Sequence, residues 1–176
     1  MTAVFEFFFY LSVCMVFYVY VGYPLIIAFV GSILRRNVRK SDFEPEVTII
    51  ISAYNEEDNI AQTLENKLCQ DYPKDKLEVI VVSDGSNDRT DSIVTKFAAQ
   101  GVRLFRQATR AGKTAAINKA VAEAHGEILV FSDANSLYSD DARRRIVQNF
   151  ADPEVGYVTG KRIYTNPNGD TIGDGC

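Results

Sequence analysis

Histidine is scarce in this chain of 176 residues, because His125 is the only one. It stands before Gly126 at the predicted end of a helix, where the helix dipole accounts for it without any chemistry. A nucleophilic serine needs an adjacent base, usually a histidine. The sequence therefore predicts no serine-based catalysis, although serines follow the predicted strands at Ser83, Ser86 and Ser132.

The cysteines and the net charge argue against two further classes of protein, those with a cysteine metal or redox site and those that bind nucleic acid. The three cysteines have neither metal-binding nor redox spacing, and they are Cys14, Cys69 and Cys176. The 19 Lys and Arg against 23 Asp and Glu leave a net charge of −4, which argues against nucleic acid as a partner. The basic run Arg143-Arg144-Arg145 is therefore interpreted as a solvated helix face.

Charged residues and histidine are absent from Phe7 to Leu34. A helix needs about 20 such residues to cross a bilayer, so this segment predicts a transmembrane helix, even with a tilt or a kink at Pro24. A cleaved signal peptide is the alternative. It would need a basic start and a shorter apolar run, whereas this chain begins MTAVFE.

A basic cluster follows the apolar segment at Arg35, Arg36, Arg39 and Lys40. Lys and Arg beside a membrane span stay in the cytoplasm. Residues 1–36 are therefore predicted to be a transmembrane helix with its basic flank, a single-pass anchor in the cell membrane (inner or plasma). Residues 37–46 are expected to form a linker, and the soluble domain after it is expected to be cytoplasmic.

From Val47 onward the chain alternates between strand and helix patterns. The predicted strands are 47–53, 77–86, 102–106, 127–136 and 155–164. The predicted helices fall within 55–70, 88–99, 112–125 and 139–150, the last capped by Ser139. This alternation indicates an α/β fold with a mostly parallel sheet flanked by helices.

Residues suited to binding a ligand follow each of the first four predicted strands. The carboxyl ends of parallel strands meet at one edge of a sheet, so these residues are expected to share a site. In chain order they are Ala53, Tyr54, Asn55, Glu56, Asp84, Asp88, Arg110, Gly112, Lys113, Asp133 and Asn135. Taken singly, several have a structural reading as turn residues, helix caps or surface charges. Their convergence favours a binding site.

Asp133 and Asn135 leave a strand two positions apart and therefore point the same way. Their oxygens predict a site for Mg²⁺ or Mn²⁺ that leaves coordination positions open for substrate phosphates. Lys113, in the sequence AGKT, is suited to offset phosphate charge from the start of a helix. A P-loop is excluded because Gln107 occupies the place of its first glycine.

Four segments together resemble the family 2 glycosyltransferases, inverting enzymes with a GT-A (Rossmann-like) fold that use nucleotide-sugar donors. The segments are VTIIISAYNEEDNI, LEVIVVSDGSNDRTDSI, RAGKTAAINKAV and GEILVFSDANS. The resemblance covers residues 47–164 and implies a nucleotide-sugar-binding domain there. The apolar start with VGYP also looks like the leading helix of membrane-bound members that make polysaccharides or glycolipids.

The resemblance also implies a role for each matching position. The residues Ala53, Tyr54 and Glu56 would line a uridine pocket, Asp84 would bind the base, and Lys113 would lie near the diphosphate. The residues at the two ends of the family's D-x-D element, in contact with ribose and metal, would be Asp133 and Asn135. The asparagine departs from the family's second Asp and lowers the negative charge of the site.

The implied reaction is transfer of a sugar from a UDP-sugar, with inversion, to a polysaccharide or lipid-linked acceptor. Such a transfer needs a carboxylate to deprotonate the acceptor. The late carboxylates Asp170 and Asp174 lie in a Gly-rich tail, residues 165–176, expected to be irregular. We therefore expect the base beyond Cys176 and an incomplete GT-A domain, a fragment or truncated product. A nucleotide-sugar-binding module without catalysis is the alternative.

Overall fold

The computed structural model describes residues 2–34, 36–161, 163–165 and 171–174. The chain divides into two compact units, Met1–Val38 and Arg39–Cys176. The sequence-based predictions for Arg35, Asp170 and Cys176 lie outside the described residues.

The N-terminal unit is a continuous helix with three parts. Helix α1 (Thr2–Phe17) passes through a π-helical turn (Tyr18–Gly22) into helix α2 (Tyr23–Ile33). The wider turn lies just before Pro24, whose ring has no N–H to donate. Among the described residues, Thr2–Ile33 is the one helix that is long and apolar enough to cross a membrane. The predicted apolar N-terminal helix is therefore present.

The second unit is built on a parallel sheet of four strands in the order β3-β2-β1-β4. The strands are β1 (Val47–Ala53), β2 (Leu77–Asp84), β3 (Val102–Gln107) and β4 (Ile128–Asp133). Strand β1 pairs in parallel with β2 on one side and β4 on the other. Central parallel strands are covered on both faces, which explains the unbroken apolar character of the β1 sequence. The predicted α/β class is confirmed.

Helices complete the domain around this sheet. They are α3 (Ile60–Leu68), α4 (Thr90–Thr95), α5 (Lys113–Ala122) and α6 (Ala142–Val147), with single 3₁₀ turns at Lys74–Lys76, Ala98–Gln100 and Gln148–Ala151.

Alternate residues of β1 enter two separate cores. Ile49 packs in the larger core with Leu64 of α3 and Val94 of α4, whereas Ile50 packs with Ala116 and Ala120 of α5. The two-residue period of a strand causes this separation and places helices on both faces of the sheet.

The predicted fifth parallel strand at 155–164 is wrong. Residues 155–161 form no strand, and only Ile163–Thr165 (β5) is extended and paired. Strand β5 pairs antiparallel with Thr171–Asp174 (β6) in a separate two-stranded sheet, so the tail is not wholly irregular either. An apolar run predicts extended backbone, but its partner strand is decided by tertiary contacts. The domain boundaries drawn from the sequence remain predictions.

Two predictions about helix α6 are also corrected. Its N-cap position is Asp141 rather than Ser139, whose hydroxyl instead contacts the Asp141 carboxylate at 3.3 Å. Arg143 does not face solvent, since only 1% of it is exposed. Arg143 lies on the inward side of the helix, where it donates to the Lys67 carbonyl of α3, and neighbours in sequence therefore differ in burial.

Candidate active site

The carboxyl ends of β1, β2 and β4 and the loop before α5 enclose a cavity of about 290 Å³. All seven residues to which the family resemblance gives a role line it, namely Ala53, Tyr54, Glu56, Asp84, Lys113, Asp133 and Asn135. Asn55 and Asp88, which were also expected at this edge of the sheet, do not line the cavity. The lining is completed by Ser52, Arg110, Gly112 and Ala134. The structure therefore brings the predicted residues together, while the role of each remains a prediction.

The loops that follow β1 and β2 are bonded to each other beside the cavity. The backbone N–H of Asn55 donates to the Ser86 hydroxyl at 3.2 Å, and the N–H of Asn87 donates to the Asn55 side-chain oxygen at 3.0 Å. The N–H of Glu56 donates to the Thr90 hydroxyl at 2.9 Å. Asn55 has a φ of 52°, a left-handed conformation that asparagine tolerates. It connects two loops and is not a helix cap.

Asp84 is the anchor of the loop between β3 and α5. Its two carboxylate oxygens accept the backbone N–H groups of Ala111 at 2.8 Å and Gly112 at 2.9 Å, and 5% of the residue is exposed. The adjacent Gly85 has a φ of 73°, and a Cβ there would lie 2.9 Å from the backbone nitrogen of Arg110. Only glycine permits this close approach. The predicted contact of Asp84 with a base would have to use its remaining lone pairs.

Arg110 lies over the ring that was predicted to stack on a base. Its guanidinium carbon is 4.1 Å from the centroid of the Tyr54 ring, a cation–π distance. The sequence placed Arg110 at a strand end but assigned it no role. In the structure it brings a positive charge to the cavity wall, beside Tyr54, of which 38% is exposed.

Asp133 and Asn135 lie in the cavity with Lys113, whose Nζ forms an ion pair with Asp133 Oδ1. A carboxylate and an amide are hard oxygen donors and fit Mg²⁺ or Mn²⁺. Among the described residues, no group of three or more His, Cys, Asp or Glu side chains is placed to hold a metal. A cation at Asp133 and Asn135 would therefore depend on substrate oxygens or water for most of its ligands.

One face of α3 holds the loop that follows Asp133. The Thr63 hydroxyl donates to the Ala134 carbonyl at 2.7 Å, and Lys67 Nζ donates to the Ser136 carbonyl at 2.6 Å. Asn66 donates to the Tyr138 carbonyl at 2.9 Å and accepts the Tyr138 N–H at 2.8 Å.

The sequence reasoning missed this face of α3, although a signal was present. Thr63, Asn66 and Lys67 repeat at helical spacing beside the apolar positions Ile60 and Leu64. Thr63 and Lys67 are buried, at 1% and 0% exposure. Polar residues on the inward side of a helix need hydrogen-bond partners, and here the partners are backbone groups of the loop that carries Asn135.

Lys67 and Arg143 are two buried cations beneath this loop. Lys67 Nζ lies 3.2 Å from the centroid of the Tyr138 ring. Burial, and then the charge of Arg143, lowers the pKa of the Lys67 ammonium to about 7. Arg143 donates to the Lys67 carbonyl, but its Nε and Nη1 have no hydrogen-bond partner in the part of the chain that the structure describes. Burial, with the added repulsion between the two cations, makes the cluster sensitive to pH.

Residues 48–175 match the protein family described as Glycosyl transferase family 2. A relative in Staphylococcus aureus, a poly-beta-1,6-N-acetyl-D-glucosamine synthase, is 34% identical over 117 residues, which cover 65% of this chain and 28% of the relative. The chain spans less than half the length of the curated relatives it matches.

Two solved structures are also similar. A mannosyltransferase from Pyrobaculum calidifontis, in complex with GDP-Man and Mn²⁺, superposes with a TM-score of 0.70 at 36% identity, over 79% of this chain and 43% of that one. TarS of S. aureus, in complex with UDP-GlcNAc, has a TM-score of 0.54 at 29% identity, over 57% of this chain and 29% of that one.

The chain has a parallel α/β domain with a cavity at the carboxyl ends of its strands, and the family match covers most of the chain. This chain belongs to glycosyl transferase family 2.

Proposed function

We propose that the protein is a glycosyltransferase that binds a UDP-sugar with a divalent cation in the strand-end cavity. It transfers the sugar, with inversion, to a saccharide or lipid-linked acceptor. The observation that carries the proposal is the convergence of Tyr54, Lys113, Asp133 and Asn135 on one cavity. Family membership supports it, as do related structures that hold GDP-Man with Mn²⁺ and UDP-GlcNAc.

Five of the lining residues have a task in this proposal. Asp133 and Asn135 hold the cation, which when bound supplies positive charge to the departing diphosphate. Tyr54 stacks on the base, and the charge of Lys113 offsets the phosphates. Asp84 positions the loop that carries Lys113. We assign the acceptor base to none of the described residues.

Calorimetric titration of UDP into the full chain, in mild detergent with Mn²⁺, tests the site. UDP is expected to bind, and Asp133→Ala is expected to abolish binding because a metal ligand is lost. The matched control is Asp75→Ala, which removes an exposed carboxylate beside the start of β2, at the opposite end of the sheet. Unchanged UDP binding in Asp133→Ala would refute the metal site.

Two further measurements separate the finer parts of the proposal: titration with GDP, and an assay of UDP release from a UDP-sugar. Tighter binding of GDP than of UDP would overturn the uridine assignment and leave the nucleotide-sugar site in place. Release of UDP from a UDP-sugar in the presence of saccharide acceptors supports catalysis. Binding of the UDP-sugar without turnover identifies the non-catalytic module instead.

We further propose that Thr2–Ile33 spans the cell membrane and that the second unit is cytoplasmic. The basic cluster that follows the apolar helix supports this orientation. Cys69, which is exposed in the second unit, provides a reporter when Cys14 and Cys176 are replaced by Ser. A membrane-impermeant maleimide is expected to label Cys69 only after the cells are permeabilised. Labelling in intact cells contradicts the orientation.

A further inference from the structure

The ammonium group of Lys113 lies on the carboxylate that is proposed to hold the metal. Lys113 is the first residue of α5, and its Nζ contacts Oδ1 of Asp133, the last residue of β4. The two side chains are 59% and 33% exposed. An ammonium group and a divalent cation repel each other and cannot both contact the same oxygen closely. A metal that binds Oδ1 of Asp133 therefore requires the Lys113 side chain to move.

The backbone before Lys113 is held in place while its side chain reaches into the cavity. The N–H of Gly112 is bonded to Asp84 at 2.9 Å, so the start of α5 has a defined position at the cavity edge. The lysine side chain has four rotatable carbon–carbon bonds and carries its charge at a single atom. It can therefore exchange one anionic partner for another without movement of the helix.

We propose that Lys113 is an internal counter-cation that links the binding of metal and nucleotide. Without substrate it neutralises Asp133 and weakens the binding of metal alone. When a nucleoside diphosphate enters, its phosphates attract the ammonium, and Asp133 becomes available to the cation. The inference rests on the proposed function and adds an order to it, because metal then binds well only in the presence of nucleotide.

This exchange is a coupling between two ligands, so it must work in both directions. Loss of the lysine charge should strengthen metal binding in the absence of nucleotide and weaken the binding of metal-free UDP. An exposed ion pair contributes modestly, so the expected gain in metal affinity is about two- to tenfold. The gain should shrink at high ionic strength because the pair is accessible to salt.

The experiment measures Mn²⁺ affinity by electron paramagnetic resonance of unbound Mn²⁺, with the full chain in detergent and no nucleotide. Lys113→Gln is expected to bind Mn²⁺ about two- to tenfold more tightly than the wild type. Arg110→Gln is the matched control, since it removes an equal charge from the same cavity but one that lies on Tyr54. It should change Mn²⁺ affinity less than twofold. When Lys113→Gln is added to Asp133→Asn, Mn²⁺ affinity should not rise above that of the single variant Asp133→Asn.

Each outcome of this experiment decides the proposal. Mn²⁺ affinity that is unchanged or weaker in Lys113→Gln overturns it, and so does an equal gain in Arg110→Gln, which would indicate a general effect of charge. If Mn²⁺ and UDP still bind together in those cases, the proposed function stands. If neither the wild type nor Lys113→Gln binds Mn²⁺, even with UDP, the metal site itself is wrong and both proposals fail.

Discussion

Lys67 should make the stability of the protein rise with pH, and Lys67→Met should remove this rise. The pKa of its ammonium is lowered from 10.5 to about 7, mainly by burial. Between these values the unfolded chain holds a proton that the folded chain has released, so the free energy of unfolding increases with pH. Integrated from pH 7 to pH 9, the two pKa values give about 2 kcal/mol. For a chain of this size, that corresponds to a melting temperature about 4–8 °C higher.

Thermal unfolding followed by circular dichroism at pH 7, 8 and 9 measures this effect. The wild type is expected to gain stability across the series, whereas Lys67→Met is expected to change much less. Lys96→Met is the matched control, because Lys96 is exposed and its loss should leave the pH dependence as in the wild type. The reasoning is refuted if Lys67→Met and the wild type gain equally between pH 7 and 9.

Three further predictions concern the cavity and the opposite edge of the sheet. Asp84→Asn replaces one acceptor of a loop N–H with a donor, so unfolding should become about 1–3 kcal/mol easier and UDP affinity should fall; unchanged melting and titration curves would contradict this. Tyr54→Ala should weaken UDP binding by about 1–3 kcal/mol through lost stacking, whereas Tyr54→Phe should bind like the wild type. The pKa of Glu78 is about 2, because bonds from Thr48 and His125 outweigh the effect of burial, which alone would raise it. The stability that Glu78 contributes is present above its ordinary pKa of 4.5 and is lost as pH falls towards 2, so acid unfolding of Glu78→Gln should depend less on pH in that window.

The order of strands and helices was predictable because each strand of the parallel sheet is a short apolar run with a distinctive boundary. The predicted limits of β1 match the observed Val47–Ala53, and β2 and β3 differ from prediction only at their carboxyl ends. The helices were predicted too long, because helical periodicity extends into flanking residues that bond to other loops instead. Asp88 is one example, since it lies before α4 and its carboxylate accepts the backbone N–H of Glu57 in the loop after β1. The predicted fifth strand was wrong because tertiary contacts decide strand pairing, and Ile163–Thr165 pairs with Thr171–Asp174 outside the main sheet.

The candidate site was predictable as a set of residues but not as a set of contacts. Polar residues that follow parallel strands converge at one edge, which is a property of chain topology alone. The partners of those residues are decided by the distances between loops. No spacing in the sequence places Arg110 on Tyr54, or both oxygens of Asp84 on the N–H groups of a later loop.

The amino-acid sequence by itself determined the parallel α/β class, the apolar N-terminal helix and the edge of the sheet where ligand-binding residues gather. These features follow from local hydrophobic period and from the rule that parallel strands end together. Tertiary structure alone decided that Lys113 contacts Asp133 and that Lys67 is buried beneath the loop that follows Asp133. Side-chain partners across the fold depend on three-dimensional packing, and burial then lowers the pKa of a lysine that composition would place in solvent.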